Sequence, residues 1–242
     1  MNQASAEPTL ALSLAPSYSL SQQLMAEALG TALLLAVVVG SGIMGETLAD
    51  GNIAVALLAN SIATGCGLYV LITLLGPVSG AHFNPLVSLL TVLNREMSLT
   101  QALAFIAAQI IGGLLGVAAT HGMFDLSLFS ASQHVRSGWS QWWAEGIASF
   151  GLLLVIVQGV RTQANGVVQI VPKLVACYIT AAYWFTASTS FANPAVTIAR
   201  ATTDTFAGIR PNDAPGFIAA QLAGLLVAWL FTSRFFRPTL AR

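Results

Sequence analysis

Two Asn-Pro pairs, Asn84-Pro85 and Asn193-Pro194, carry the most specific local chemistry in this sequence. Asparagine is a favoured helix N-cap and proline a favoured first helical residue, so each pair reads as a helix start. The apolar runs that follow, 84–93 and 193–201, are too short to cross a bilayer, which takes about 20 residues. The half-helices are expected to end near Leu93 and Thr203. The preceding loops, Gly76 to Phe83 and Thr186 to Ala192, are rich in small and turn residues. Such backbone persists at membrane depth only where it is buried or lines a water-filled cavity.

Two carboxylates, Glu27 and Glu145, fall inside apolar stretches, where charge is costly and generally functional. They could relay protons, as in a transporter. Their symmetric placement near the loops favours bracing of loop backbone N–H groups. Gln109 and Gln221 read as hydrogen-bonding groups between helices. His82 reads as a packed loop residue bonded to its neighbours, with a proton gate as the alternative. His121 and His134 flank a loop with no carboxylate-rich ligand set, so no metal site is expected. No cofactor is implied, and no nucleophile–base set or phosphate loop argues for an enzyme. Cys66 and Cys177 lie in apolar runs and read as packed thiols. Cys66 is about 200° around the helix from Thr64 and is expected to face packing.

These residues need elements to position them, and the composition says where. The chain is 56% hydrophobic and only 7% charged, with a mean hydropathy of +0.77. Soluble domains average about 25% charged residues. The bilayer is therefore the expected solvent, and zero net charge argues against nucleic acid as a partner. Six stretches can span: 21–43, 53–75, 99–120, 142–160, 169–187 and 215–235. Residues 1–20 hold no Lys or Arg and so lack the positive region of a cleavable signal. They read as a tail, 21–235 as one membrane domain, and 236–242 as a second tail. Arg95, Arg161, Lys173, Arg234, Arg237 and Arg242 oppose Arg136, Arg200 and Arg210 across the membrane, and six cations against three put both termini in the cytoplasm. Trp139, Trp142 and Trp143 read as an interfacial belt.

The halves, about 21–121 and 140–235, repeat. Ala-Glu-Ala-Leu-Gly at 26–30 answers Ala-Glu-Gly-Ile-Ala at 144–148. Ala-Ala-Gln at 107–109 answers 219–221. His-Phe-Asn-Pro-Leu-Val at 82–87 answers Phe-Ala-Asn-Pro-Ala-Val at 191–196. The offsets of 118, 112 and 109 residues differ only through loop lengths. Each half has three spans, so the second inserts in the opposite sense. Inverted repeats place a site near the membrane midplane at the repeat interface.

Ser-Gly-Ala-His-Phe-Asn-Pro at 79–85 and Asn-Pro-Ala at 193–195 resemble the two signature loops of the aquaporin, or major intrinsic protein, family. Leu86 stands where the family has Ala. The resemblance covers residues 21–235 and implies an all-α channel with six spans and two re-entrant half-helices meeting at mid-pore. It also implies a homotetramer with one pore per subunit, consistent with small residues such as Gly112, Gly113 and Gly116. The motif residues would be Asn84, Pro85 and Leu86 with Asn193, Pro194 and Ala195. The Asn84 and Asn193 amides would donate to a passing oxygen, and the carbonyls of Gly80, Ala81 and His82, with those of Thr189, Ser190 and Phe191, would accept.

Spacing from the asparagines carries the family's selectivity filter onto Thr64, Ala181, Ser190 and Val196. A one-residue shift would instead give Phe191 and Ala182. Position 196 is Arg in most of the family, so this filter is wide and uncharged. Arg200 reads as an interfacial anchor or, one turn beyond Val196, as a residue reaching over the outer mouth. In these departures, and in Asn-Pro-Ala-Val-Thr-Ile-Ala-Arg at 193–200, the sequence resembles a bacterial aquaglyceroporin subgroup linked to arsenic resistance. The implied cargo is undissociated arsenite or methylated arsenicals, with glycerol-like polyols and possible passage of water, across a bacterial inner membrane. The alternatives are a strict water channel, an ion-coupled secondary transporter with inverted repeats, and a structural junction protein.

Overall fold

In lipid a chain must satisfy its own backbone, as helices or as a closed barrel, and long apolar runs select helices. The computed structural model, which describes residues 17–164 and 169–236, is built that way. The expected tails, with Arg237 and Arg242, lie largely or wholly outside the described residues. Eight α-helices follow in order: α1 (Leu20–Leu48), α2 (Ile53–Ser79), α3 (Pro85–Leu93), α4 (Leu99–Met123), α5 (Trp139–Ala164), α6 (Ile170–Phe185), α7 (Pro194–Arg200) and α8 (Ala214–Phe235). Five are long and apolar enough to span; α6 is a shorter sixth, at 16 residues. α3 and α7, of 9 and 7 residues, are the half-helices.

The boundaries differ from expectation where local capping decides them. α2 runs through Pro77 to Ser79, past the expected loop start at Gly76. It closes at Gly80, which adopts φ 87° and donates its N–H to Gly76 O. Glycine takes this left-handed C-terminal conformation without steric cost. α7 stops at Arg200, short of Thr203, as Ala201 N and Thr202 N turn back to Ile198 O and Ala199 O.

The two halves pack alike. α1 lies against α4 and α2, and α5 lies against α8 and α6. The half-helices interlock, α7 touching α4 and α3 touching α8. A cluster including Leu35, Val39, Phe83, Val117, Ala148 and Val196 fills the space between the halves. Many large apolar residues are exposed instead, such as Leu74 and Leu115. In lipid that outer surface is as apolar as the core. Cys66 and Cys177 belong to it. Both are exposed, and neither is the packed thiol expected from its apolar neighbours.

Gly112 and Gly116 let two backbones meet within the protomer, where a Cβ would collide with the backbone of Ala28 and Ala32 on α1. They therefore serve the α1–α4 contact and do not support subunit association. The Gly112 contact recurs in the other half, where Gly224 faces Gly146 O. Gly112→Ala is expected to destabilise the fold by about 1–3 kcal/mol, because the backbone opposite cannot yield. Gly122→Ala on the same helix, where an added Cβ meets nothing, is expected to be neutral. Thermal unfolding of both variants in detergent would check this, and equal midpoints would refute it.

Candidate functional site

The asparagines close the centre of the molecule by capping and clasping at once. Asn84 Oδ1 accepts from Leu86 N at 2.9 Å. Asn193 Oδ1 accepts from Ala195 N and Val196 N at 3.0 and 3.2 Å. Each cap thus starts its half-helix. Each amide then reaches into the other repeat: Asn84 Nδ2 donates to Ala192 O at 2.8 Å, and Asn193 Nδ2 to Phe83 O at 2.7 Å. An amide nitrogen has two N–H groups. The second of each finds no acceptor among the described residues, and both asparagines line a central cavity of about 100 Å³.

The loops before them are strained. Ala81, Phe83, Thr189, Ser190 and Ala192 all have φ between 46° and 61°, each costing about 1–2 kcal/mol for a non-glycine residue. Two buried carboxylates hold them there. Glu27 accepts from Ser79 Oγ (2.6 Å), His82 N (2.9 Å), Phe83 N (2.7 Å) and Gln109 Nε2 (2.8 Å). Glu145 accepts from Ser188 Oγ (2.6 Å), Phe191 N (2.9 Å), Ala192 N (2.9 Å) and Gln221 Nε2 (2.6 Å). Gln109 also reaches Ser88 Oγ on α3, and Gln221 reaches Thr197 Oγ1 on α7. Every lone pair of these carboxylates faces a donor, so neither is a free proton carrier.

The twist of each loop has a consequence for its carbonyls. Those of Gly80, Ala81, His82, Thr189, Ser190 and Phe191 accept no hydrogen bond from any described residue. Gly80, Ala81, His82, Ser190 and Phe191 line the cavity; Thr189 is half-buried beside it. His82 is held by Ser88 Oγ (3.0 Å) and the Phe105 ring (centroids 5.4 Å apart) while still bordering the cavity. Leu86, in the first motif, is fully buried and points away, packing with Leu90, Leu153 and Leu225. His121 is likewise structural, bonded to Ser127 O and Thr203 Oγ1.

The lining also holds Thr64, Tyr183, Val196 and Arg200, beside Ser190 and Phe191. Of the residues that spacing selected, Thr64, Ser190, Val196 and the alternative Phe191 line the cavity. Ala181 does not. It is exposed on α6, and Ala182, although buried, is not part of the lining. Tyr183 takes that place, its hydroxyl 3.2 Å from Thr64 Oγ1. Counting back from Asn193 runs through the irregular segment 186–192. An error of two residues there rotates a helical position by about 200°. The signal that could have found Tyr183 is its hydroxyl, set in an apolar helix end beside two alanines that offer no chemistry.

An inverted repeat of spans, with two half-helices meeting head to head over a cavity, defines a membrane channel and not an enzyme. The major intrinsic protein family model matches residues 15–190, and the chain belongs to that family. It is 53% identical over 211 residues to aquaglyceroporin AqpS of Rhizobium meliloti (strain 1021), covering 87% of this chain and 88% of that one. It is 30% identical over 155 residues to aquaporin PIP2-7 of Musa acuminata, covering 62% and 55%. The aquaglyceroporin from Plasmodium falciparum shares the fold, with a TM-score of 0.71 at 20% identity over 91% of this chain and 98% of the other. The chain is thus an integral, multi-pass membrane channel for small solutes.

Proposed function

We propose that this channel is of the aquaglyceroporin type and passes neutral polyhydroxy solutes, glycerol and undissociated arsenite first among them, with water as a smaller co-permeant. The carrying observation is Val196 in the cavity lining, where an aliphatic side chain leaves width and adds no fixed charge. The relative AqpS, by its name an aquaglyceroporin, supports the same reading. Glycerol and arsenous acid each present three hydroxyls and no charge. Their entry depends on width and on hydrogen bonds that replace hydration, not on a Born penalty. The free amide N–H groups of Asn84 and Asn193 and the unpaired loop carbonyls supply those bonds. The two half-helix N-termini oppose protons and cations at the centre, as is general for aquaporin-type pores. We further read the channel as a homotetramer in a bacterial inner membrane with both termini cytoplasmic, which a C-terminal reporter fusion would test.

Purified protein in proteoliposomes is expected to speed glycerol and arsenous acid entry above empty vesicles, linearly with gradient and without ion dependence. The same preparation is expected to be tetrameric by native mass spectrometry. Water flux with exclusion of both larger solutes would leave a strict water channel. Saturation with coupling to an ion would leave a transporter.

A further inference from the structure

Arg200 closes α7, one helical turn beyond Val196 on the same face. It is only 2% exposed and borders the cavity. Its Nε donates to Ala207 O, and its guanidinium carbon lies 3.4 Å from the centroid of the Phe191 ring. That ring is fixed in turn by the edge-on ring of Phe217, with centroids 5.1 Å apart. No carboxylate lies within ion-pair range of Arg200 among the described residues. Its Nη1 and Nη2 atoms donate to no described acceptor, yet neither is an occluded atom. They open onto the cavity that the residue borders.

A second arginine beside it is spent differently. Arg136 also lies over Phe191, at 5.3 Å, but donates to Gly208 O, Phe206 O and Ser188 O. It ties loops together. Ser190 also belongs to the cavity lining, but its Oγ is occluded and offers a passing solute nothing. A buried guanidinium with no counter-ion is costly unless water or a solute satisfies it, and an aromatic face recovers only part of that cost.

We propose that Arg200 is a specificity-determining residue of this pore. Its terminal N–H groups form a hydrogen-bonding station for the oxygens of a neutral polyhydroxy solute. Its charge bars monovalent cations at the outer mouth. The filter is therefore split. Width is set at Val196 and charge about 6 Å further out, where an arginine at position 196 would set both at once. This rests on the reading of a polyol-conducting pore with Val196 at its outer end.

Glycerol, methylammonium and water fluxes in proteoliposomes test it through Arg200→Gln and Arg200→Lys. Arg200→Gln is expected to raise the ratio of methylammonium to water flux about tenfold, which corresponds to about 1.4 kcal/mol of barrier. Arg200→Lys keeps the charge but loses the planar fork. It is expected to exclude methylammonium as the wild type does while glycerol flux falls several-fold. If the Gln variant does not fold, the Lys variant decides by its glycerol-to-water ratio: a fall supports the station and an unchanged ratio overturns it. Wild-type fluxes in both variants overturn the inference and leave the polyol reading standing. A wild-type protein that excludes glycerol overturns that reading first.

Discussion

Val196→Arg is expected to lower glycerol and arsenous acid flux about tenfold or more, a barrier increase of about 1.4 kcal/mol or above, with water flux much less affected. Val196 lines a cavity of only about 100 Å³. An arginine projecting from the same Cβ fills the path beside Thr64 and Ser190. It also places a second guanidinium one turn from Arg200 on the same helical face, and like charges so placed hold each other apart. Water, needing less width, can still thread the gap. Thr64→Trp, which narrows without charge, is expected to act in the same direction. Its loss of the 3.2 Å contact with Tyr183 makes it the less conservative of the pair. Stopped-flow light scattering on proteoliposomes of each variant, normalised to incorporated protein, measures this. Unchanged glycerol and arsenite flux in Val196→Arg would sink the wide-filter reading.

Glu145→Gln is expected to cost the channel a large part of its stability. Glu145 is fully buried and accepts four hydrogen bonds. Glutamine keeps one acceptor oxygen and turns an NH₂ group toward donors. Two of Ser188 Oγ, Phe191 N, Ala192 N and Gln221 Nε2 then lose their partner. Each buried donor left unsatisfied costs about 1–3 kcal/mol, so the loss is about 2–6 kcal/mol against a typical total stability of about 5–15 kcal/mol. The loop that relaxes is the strained one, with Thr189, Ser190 and Ala192 at positive φ. Glu27→Gln is expected to do the same to the loop before Asn84. Detergent size-exclusion profiles should show less monodisperse protein than the wild type, and flux should fall with it. A proton relay would behave otherwise, giving a folded but uncoupled protein. A monodisperse Glu145→Gln channel with normal flux would contradict the bracing role.

Features whose chemistry is local were open to reading from the residues alone. A helix starts at each Asn-Pro because the side chain caps and the ring presets φ, whatever lies around them. The helices beginning at Pro85 and Pro194 follow from that. The spans follow from length and hydropathy, and the inverted repeat from three pairs of matching segments. The placement of Glu27 and Glu145 at corresponding positions was enough to associate them with the loops, because a buried carboxylate must find donors and the loops are where unpaired N–H groups occur.

Rotational phase and long-range approach were decided only by the tertiary structure. Spacing pointed to Ala181, or to Ala182 with a one-residue shift, and passed over Tyr183, because the count crossed an irregular loop and helical faces turn by 100° per residue. Cys66 and Cys177 lie in apolar runs like those of the core, yet they face outward. Lipid and protein interior solvate the same side chains, so hydropathy does not separate the two faces. Gly112 and Gly116 announced close packing, but only the packed helices show that the partner is α1 of the same chain. The reciprocal bonds of Asn84 and Asn193, over sequence separations of 108 and 110 residues, and the stack of Arg200 on Phe191 likewise exist only once the two halves have closed on each other. Side-chain type fixed what each residue can bond. The interlocking of the repeats decided which group it meets.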